Sequence, residues 1–450
     1  MSRAHQLKIS VSGIRGVIGD FLTPNLAAAF AQAFGTYVGP GLVALGRDTR
    51  ASGEMIEHAV ACGLLASGCE VVKLGIVPTP TLQVYASQAG LRGGIAVTAS
   101  HNPPEYNALK LFNRDGLFFN HYERTELLDL YHQSDFRQAA NHEIRGVQVD
   151  TETAPKLHIE RVLRHVDVER IRRRRFKVAL DGVNGAGSRM SVMFLEQALG
   201  CELHAISVDP GRPFPREAEP RPEVLGDLQR LAISCGADAA FAQDPDGDRL
   251  AVGDETGRII DNDDVLALAV DIVLRRTPGP VVVNLTTSAA IDDIGARFGC
   301  AVLRSPVGEA NVVERMMRSR AVIGGEGSNG GIIFPGVQYC RDSYFGMALI
   351  LDRMAETGLP LSALAAELPR YFRKMGKSGF EHGRLGRMMQ ELQERLPGAE
   401  VDRSDGLKLK APDGWIHVRA SNTEPVLRIA AEARTRERLE ELYALGSGLA

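Results

Sequence analysis

The stretch Thr98-Ala99-Ser100-His101-Asn102-Pro103-Pro104-Glu105-Tyr106-Asn107 holds the residue types best suited to covalent chemistry. A serine hydroxyl at the lip of a sheet, with a histidine beside it, can act as a nucleophile or carry a phosphoryl group. The apolar run Gly94-Ile95-Ala96-Val97 before it reads as a buried strand, and Asn102-Pro103-Pro104 bars a following helix. Stripped of that chemistry, the decapeptide is a polar turn after a strand.

A second chemical loop is Asp244-Pro245-Asp246-Gly247-Asp248-Arg249. Three carboxylates at alternate positions, with a glycine for the bend, can converge on one hard cation. So close together they repel unless a metal or a basic group neutralises them. The spacing resembles the opening of an EF-hand, and Glu255 falls at the twelfth position. The glycine comes two positions early, however, and a strand at Leu250 to Gly253 stands where a helix is needed. Three carboxylates also leave a cation room for a phosphate oxygen.

Two further loops carry polar groups for a ligand. Gly324-Gly325-Glu326-Gly327-Ser328-Asn329-Gly330-Gly331 lets backbone amides approach closely, while Glu326, Ser328 and Asn329 can address hydroxyl groups. It lacks the G-x-G-x-x-G order of a dinucleotide site. Arg419-Ala420-Ser421-Asn422-Thr423-Glu424-Pro425-Val426-Leu427-Arg428 places arginine, two hydroxyls and an amide on one turn, a phosphate cradle. Near the amino terminus, Gly13 and Gly16 flank the Ile14-Arg15 pair and expose the Arg15 guanidinium for phosphate recognition. Lys110, on a strand Ala108 to Phe112, points opposite to Leu109 and Leu111 and can steady charge or move a proton near Ser100.

The elements that must position these loops alternate in type. Thr23-Pro24 starts a helix with Ala27 to Phe34 as its apolar body. Strands at Leu42 to Leu45 and Glu70 to Leu74, with helices at Gly53 to Leu65 and Thr81 to Ser87, complete a first unit of parallel α/β character. A polar stretch from Gly146 to Pro155 marks a boundary, and Arg172 to Arg175 reads as a solvated helix end. The second unit has strands Val178 to Leu180, Glu202 to Ser207 and Ala237 to Ala242, with helices at Ser188 to Leu199 and Pro222 to Ser234. The third has helices at Asp264 to Leu274, Ala289 to Phe298, Glu309 to Arg318 and Tyr344 to Ala355. Its strands are Val281 to Val283, Ala301 to Arg304 and Ala321 to Ile323. From Leu361 the rhythm changes: a helix at Leu385 to Leu396 and strands at Leu407 to Lys410 and Trp415 to Val418 suit a smaller α+β domain. The expected domains are 1–150, 151–255, 256–360 and 361–450.

With 450 residues, roughly three or four domains are expected. A net charge of −4 argues against a general nucleic-acid binder. The cysteines at 62, 69, 201, 235, 300 and 340 form no C-x-x-C pair, so neither a disulfide framework nor a zinc knuckle is indicated. No run of about 20 apolar residues exists and the amino terminus carries no apolar signal segment, so a cytoplasmic location without membrane partners is expected.

Taken together, the four loops resemble those of the α-D-phosphohexomutase superfamily, in that family's order and over essentially the whole chain. Thr98 to Pro103 resembles its phosphoserine loop and Asp244 to Arg249 its magnesium loop. Gly325 to Ser328 is similar to its sugar loop, and Arg419 to Thr423 to its phosphate loop. The resemblance implies an α/β fold: three similar α/β domains and a smaller C-terminal α+β domain around a central cleft. It implies movement of a phosphoryl group between O1 and O6 of a hexose phosphate. Ser100 would carry the phosphate, with Mg2+ held by Ser100, Asp244, Asp246 and Asp248, through a hexose 1,6-bisphosphate intermediate and activator. Arg419, Ser421, Asn422, Thr423 and Arg428 would hold the idle phosphate, and Glu326, Ser328 and Asn329 the sugar. Arg15, His101, Lys110 and Arg249 would surround the transfer site, with Lys110 as acid or base.

Two departures bear on specificity. Asn329-Gly330-Gly331 stands where many members have a histidine, and Asn284 where some have a lysine. The glycine-rich form is similar to archaeal-type mutases. Glucosamine phosphate is therefore the expected substrate, ahead of mixed mannose and glucose phosphates. The expected partner is a sugar phosphate, and the expected state a monomer or homodimer. A phosphatase and a non-catalytic sugar-phosphate sensor are the alternatives from other classes. A stable phosphoserine would argue against the first, and the intact serine and aspartates against the second.

Overall fold

The computed structural model describes residues 8–10, 13–88, 90–379, 383, 385–420 and 426–448, with backbone alone for 8–10 and 329. Contacts divide the chain into two compact units: Met1–Asn262 with Gly330–Leu364, and Asp263–Asn329 with Ala365–Ala450.

The first unit contains a seven-stranded sheet. Its order is Lys8–Ser10, Gly13–Val17, Tyr106–Phe112, Leu91–Val97, Leu42–Arg47, Glu70–Ile76, Val147–Val149. The central strands Leu42–Arg47, Glu70–Ile76 and Leu91–Val97 run parallel, as the alternation with helices predicts. Tyr106–Phe112 runs antiparallel to Leu91–Val97, so the sheet is mixed. The reason is local: Pro103 and Pro104 turn the chain straight back without a crossover helix. The Ser100 loop is therefore the turn of a hairpin. The helix Pro24–Val38, capped by the Thr23 hydroxyl, buries Ala27, Phe30, Ala31 and Phe34 against this sheet's core.

A five-stranded sheet in the same unit repeats the plan, in the order Ile259–Ile260, Leu250–Asp254, Ala239–Gln243, Lys177–Asp181, Glu202–Ile206. Ala239–Gln243 is parallel to Lys177–Asp181 but antiparallel to Leu250–Asp254, with Gln243 opposite Leu250. The Asp244 loop is thus also a hairpin turn. The stretch Gly146 to Pro155, read as a boundary, contributes the strand Val147–Val149 to the first sheet before the helix Thr153–Leu163 begins. The helix expected at Ser188 to Leu199 is α-helical only over Ser188–Val192 and then widens to a π-helix, Met193–Ala198. The helix expected at Pro222 to Ser234 splits into a 3-10 turn, Pro222–Val224, and the helix Gly226–Cys235. A hairpin, Gly331–Phe334 with Gln338–Arg341, leads into the buried helix Ser343–Thr357.

In the second unit, Val302–Ser305, Val281–Asn284 and Ile323–Glu326 lie parallel. A separate five-stranded antiparallel sheet has the order Phe372–Gly379, Val426–Ala433, Gly414–Ala420, Leu407–Ala411, Glu400–Asp402. Alternation along its strands sends Ile416, Val418, Leu427 and Ile429 into a core closed by the helices Leu385–Arg395 and Arg436–Ser447. His417, Arg419 and Arg428 are left on the opposite face.

Candidate active site

The two hairpin turns of the first unit meet. Ser100 Oγ donates to Asp244 Oδ2 at 2.8 Å, joining residues 144 apart in sequence. Ser100 is buried and its backbone is left-handed, with φ +50°. Asp244, Asp246 and Asp248 are at most 1% exposed, and one oxygen from each lies within 4.8 Å of the others. Gly247, at φ +68°, makes the bend that brings them together. The turn is pinned from three sides: Thr79 N donates to Asp246 O at 2.9 Å, Ala186 N to Pro245 O at 2.7 Å, and Ser343 Oγ to Gly247 O at 2.7 Å.

Cations answer the carboxylates. Lys110 Nζ lies 2.6 Å from Asp246 Oδ2 and 3.2 Å from Asp248 Oδ2. Arg341 Nη2 reaches Asp248 Oδ2 at 2.7 Å, and the Thr79 hydroxyl reaches Asp246 Oδ2 at 2.6 Å. Burial pushes Asp244 well above the usual carboxylate range, helped by Asp248 and Asp246. Burial would raise Asp246 too, but the Lys110 ammonium and the Thr79 hydroxyl outweigh it and hold that carboxyl low. For Lys110, burial pulls down, yet Asp246 and Asp248 prevail and keep it charged. Asp246 Oδ1 and Asp248 Oδ1 remain buried without a hydrogen-bond partner. Leaving two such oxygens dry is costly, and a hard cation satisfies both, so the donor set fits one.

The remaining residues expected at the transfer site ring this pair of turns. Arg249 donates through Nη2 to His101 Nδ1 at 2.8 Å and through Nη1 to Glu219 Oε1 at 2.5 Å. Arg249, then burial, hold the His101 imidazole far below its ordinary value, so it is neutral with its proton on Nε2. Arg15 Nη1 donates to Asn102 Oδ1 at 2.5 Å; burial and Arg249 bring its guanidinium down to about 10. Arg341 and Thr79 were not legible from motif spacing. Neither were Asp48 and Arg50, which lie buried beneath the Ser100 turn.

The second unit holds the other candidates. Glu326 is buried, and its Oε1 accepts from Asn284 Nδ2 at 2.9 Å and from Gly308 N at 2.8 Å. Ser328, Arg419, Arg428, Lys377 and His417 line one cavity of about 250 Å3. Lys377 pairs with Arg428, and Arg428 with Arg419, across neighbouring strands, which puts three cations in one row on one face. Like charges directly opposite are unfavourable, and an anion relieves them. Lys377 had no signal in the sequence beyond its charge. Ser421, Asn422 and Thr423 lie outside the described residues, as does the Asn329 side chain.

Family models match four segments: "Phosphoglucomutase/phosphomannomutase, alpha/beta/alpha domain I" at 6–138, domain II at 156–257, domain III at 261–372, and the C-terminal domain at 383–444. A "Phosphoglucomutase/phosphomannomutase" of Thermococcus kodakarensis is 39% identical, the match covering 96% of each chain. A "Probable phosphoglucosamine mutase" of Methanopyrus kandleri is also 39% identical, covering 96% of this chain and 95% of its own. The crystal structure of a phosphoglucomutase/phosphomannomutase family protein from Burkholderia thailandensis superposes with a TM-score of 0.82 at 28% identity, over 97% of this chain and 96% of that one.

Proposed function

We propose, from the premise that this chain belongs to the phosphoglucomutase/phosphomannomutase family and is a phosphohexomutase, that Ser100 is its phosphoryl carrier. The observation that carries this is the Ser100 Oγ contact with Asp244, beside two buried carboxylate oxygens that have no hydrogen-bond partner. The sugar hydroxyl attacks the phosphoserine: its O–P bond forms as the Oγ–P bond breaks, and the hydroxyl proton ends on Ser100 Oγ. The bisphosphate then returns its other phosphate to Ser100 by the reverse exchange. Asp244, Asp246 and Asp248, with an oxygen of the phosphoserine, would hold Mg2+, which offsets phosphoryl charge when bound. Lys110 and Arg249 add positive charge at the same place, and Arg15 and neutral His101 donate to phosphoryl oxygens.

Ser328, Arg419 and Arg428, with Lys377, hold the phosphate and hydroxyls that are not reacting. Glu326 sets the sugar loop through Asn284 and Gly308. The substrate we assign is glucosamine phosphate, supported by the glycine-rich sugar loop and by the names of several relatives. The Thermococcus relative's name favours a second reading, a mutase of mixed glucose and mannose specificity.

Interconversion assays with glucosamine, mannose and glucose 6-phosphates, primed with glucose 1,6-bisphosphate, rank these readings by kcat/KM. Ser100→Ala should take up no phosphate by intact mass and lose nearly all turnover while folding normally. An unchanged rate removes the mechanism.

A further inference from the structure

We propose that Arg50, acting with Asp48 and Thr98, is the positioning residue that fixes Ser100 for phosphoryl transfer; this rests on Ser100 being the carrier. Arg50 spends every donor it has. Its Nε donates to Asp48 Oδ2 at 3.0 Å. Nη1 donates to Pro103 O at 2.6 Å and Tyr106 O at 3.0 Å. Nη2 donates to Ser100 O at 2.6 Å and Asn102 O at 2.7 Å. Four carbonyls of one turn thus converge on a single planar group, whose rigid fork sets their spacing.

The other side of Ser100 is held by the same assembly. The Ser100 amide donates to Thr98 Oγ1 at 3.0 Å, and the Thr98 hydroxyl donates to Asp48 Oδ2 at 2.6 Å. Asp48 Oδ1 accepts from Arg50 N at 3.0 Å, closing the ring. Ser100 is therefore gripped at its N–H and its C=O, in a left-handed conformation that a non-glycine residue keeps only where its surroundings impose it. Arg50 and Asp48 have fully buried side chains, and the ring of Phe214 lies 5.3 Å from the guanidinium carbon. With no donor left, Arg50 cannot follow a phosphate. Arg15 and Arg249 answer the charge of about −2 as it arrives and leaves; the Asp48–Arg50–Thr98 assembly keeps Oγ in line through both states.

The test uses full-length Arg50→Gln, Arg50→Lys, Thr98→Val and Thr98→Ser, each checked for native circular dichroism. Two quantities are read: kcat and KM for glucosamine 6-phosphate with glucose 1,6-bisphosphate, and phosphoryl loss from preformed phosphoenzyme on adding glucosamine 6-phosphate, by quenched-flow intact mass. Thr98→Val and Arg50→Gln should transfer about 100-fold more slowly with KM nearly unchanged, the signature of a misaimed nucleophile. Arg50→Lys keeps the charge without the fork and should stay slow. Thr98→Ser keeps the hydroxyl and should transfer nearly as fast as the parent. A folded Thr98→Val that transfers at the parent rate, or a Thr98→Ser as slow as Thr98→Val, overturns the proposal. If Arg50→Gln does not fold, the Thr98 pair decides. Phosphate uptake by Ser100→Ala would bring down the carrier assignment; a silent Ser100→Ala with a fast Thr98→Val would bring down the clamp alone.

Discussion

Three buried carboxylates in five positions are unfavourable at Asp244, Asp246 and Asp248 unless cations offset them. Lys110 and Arg341 supply part of that charge directly, and Asp246 Oδ1 and Asp248 Oδ1 still lack a hydrogen-bond partner. Two outcomes follow. Mg2+ should stabilise the parent protein against urea, by about 2.7 kcal/mol of unfolding free energy when it stands at a hundred times its dissociation constant. Asp246→Asn, which removes one carboxylate charge, should show much less. A chelator should abolish mutase turnover and added Mg2+ should restore it; turnover indifferent to both would remove the metal from the site. Lys110→Met should lose turnover by about 100-fold or more, because on the proposed mechanism it takes away a charge that offsets the phosphoryl group. A steady-state rate within a few-fold of the parent would contradict that role. These residues were visible as types in a spacing. That Lys110 belongs with Asp246 was not, because their contact spans 136 positions and depends on two separate sheets.

At the scale of elements, the same device appears twice. A parallel strand ends in a small, polar turn, and an antiparallel partner carries the chain back, so each turn projects from a sheet edge with its backbone tied down. The helices were legible from apolar periodicity and caps: Thr23-Pro24 marks the start of Pro24–Val38 as expected. Strands in the last unit were less so. Phe372–Gly379 shows intermediate and exposed positions in alternation, with little hydrophobic contrast to read. Helix ends offer a separate test. Arg320 follows Glu309–Ser319 with φ +51°, exposed, where glycine is the residue without a steric penalty. Arg320→Gly should stabilise the second unit by about 1 kcal/mol, the left-handed cost it relieves. Urea unfolding followed by fluorescence measures it, since the chain's one tryptophan, Trp415, is buried in that unit. A midpoint that falls would contradict the strain argument.

For the molecule as a whole, two compact units imply that unfolding need not be a single step. Trp415 fluorescence reports one unit and far-ultraviolet circular dichroism both, so their urea transitions should fail to coincide. Superimposable curves would show one cooperative unit. Thiol chemistry should follow burial across the chain. Cys62 is exposed, while burial pushes the Cys201 thiol up to about 12 and leaves almost no thiolate at neutral pH. Iodoacetamide on the native protein should label Cys62 and spare Cys201 until urea is added, as peptide mass mapping would show. Among the described residues no helix is long and apolar enough to cross a membrane.

By itself, the order of residues determined which chemistry is available: a serine in a turn, three alternating aspartates, a glycine-rich loop and an arginine-led turn, each on a predictable strand or helix end. Those signals are local, set by backbone preferences and by side-chain spacing within a few residues. Tertiary structure alone decided which groups meet. Arg341 reaches Asp248, Arg50 grips the Ser100 turn, and Lys377 joins Arg428 and Arg419 in one row, because pairing and burial bring together positions that no local rule links. Once water is excluded around them, charge and hydrogen-bond satisfaction dictate partners that sequence distance cannot reveal.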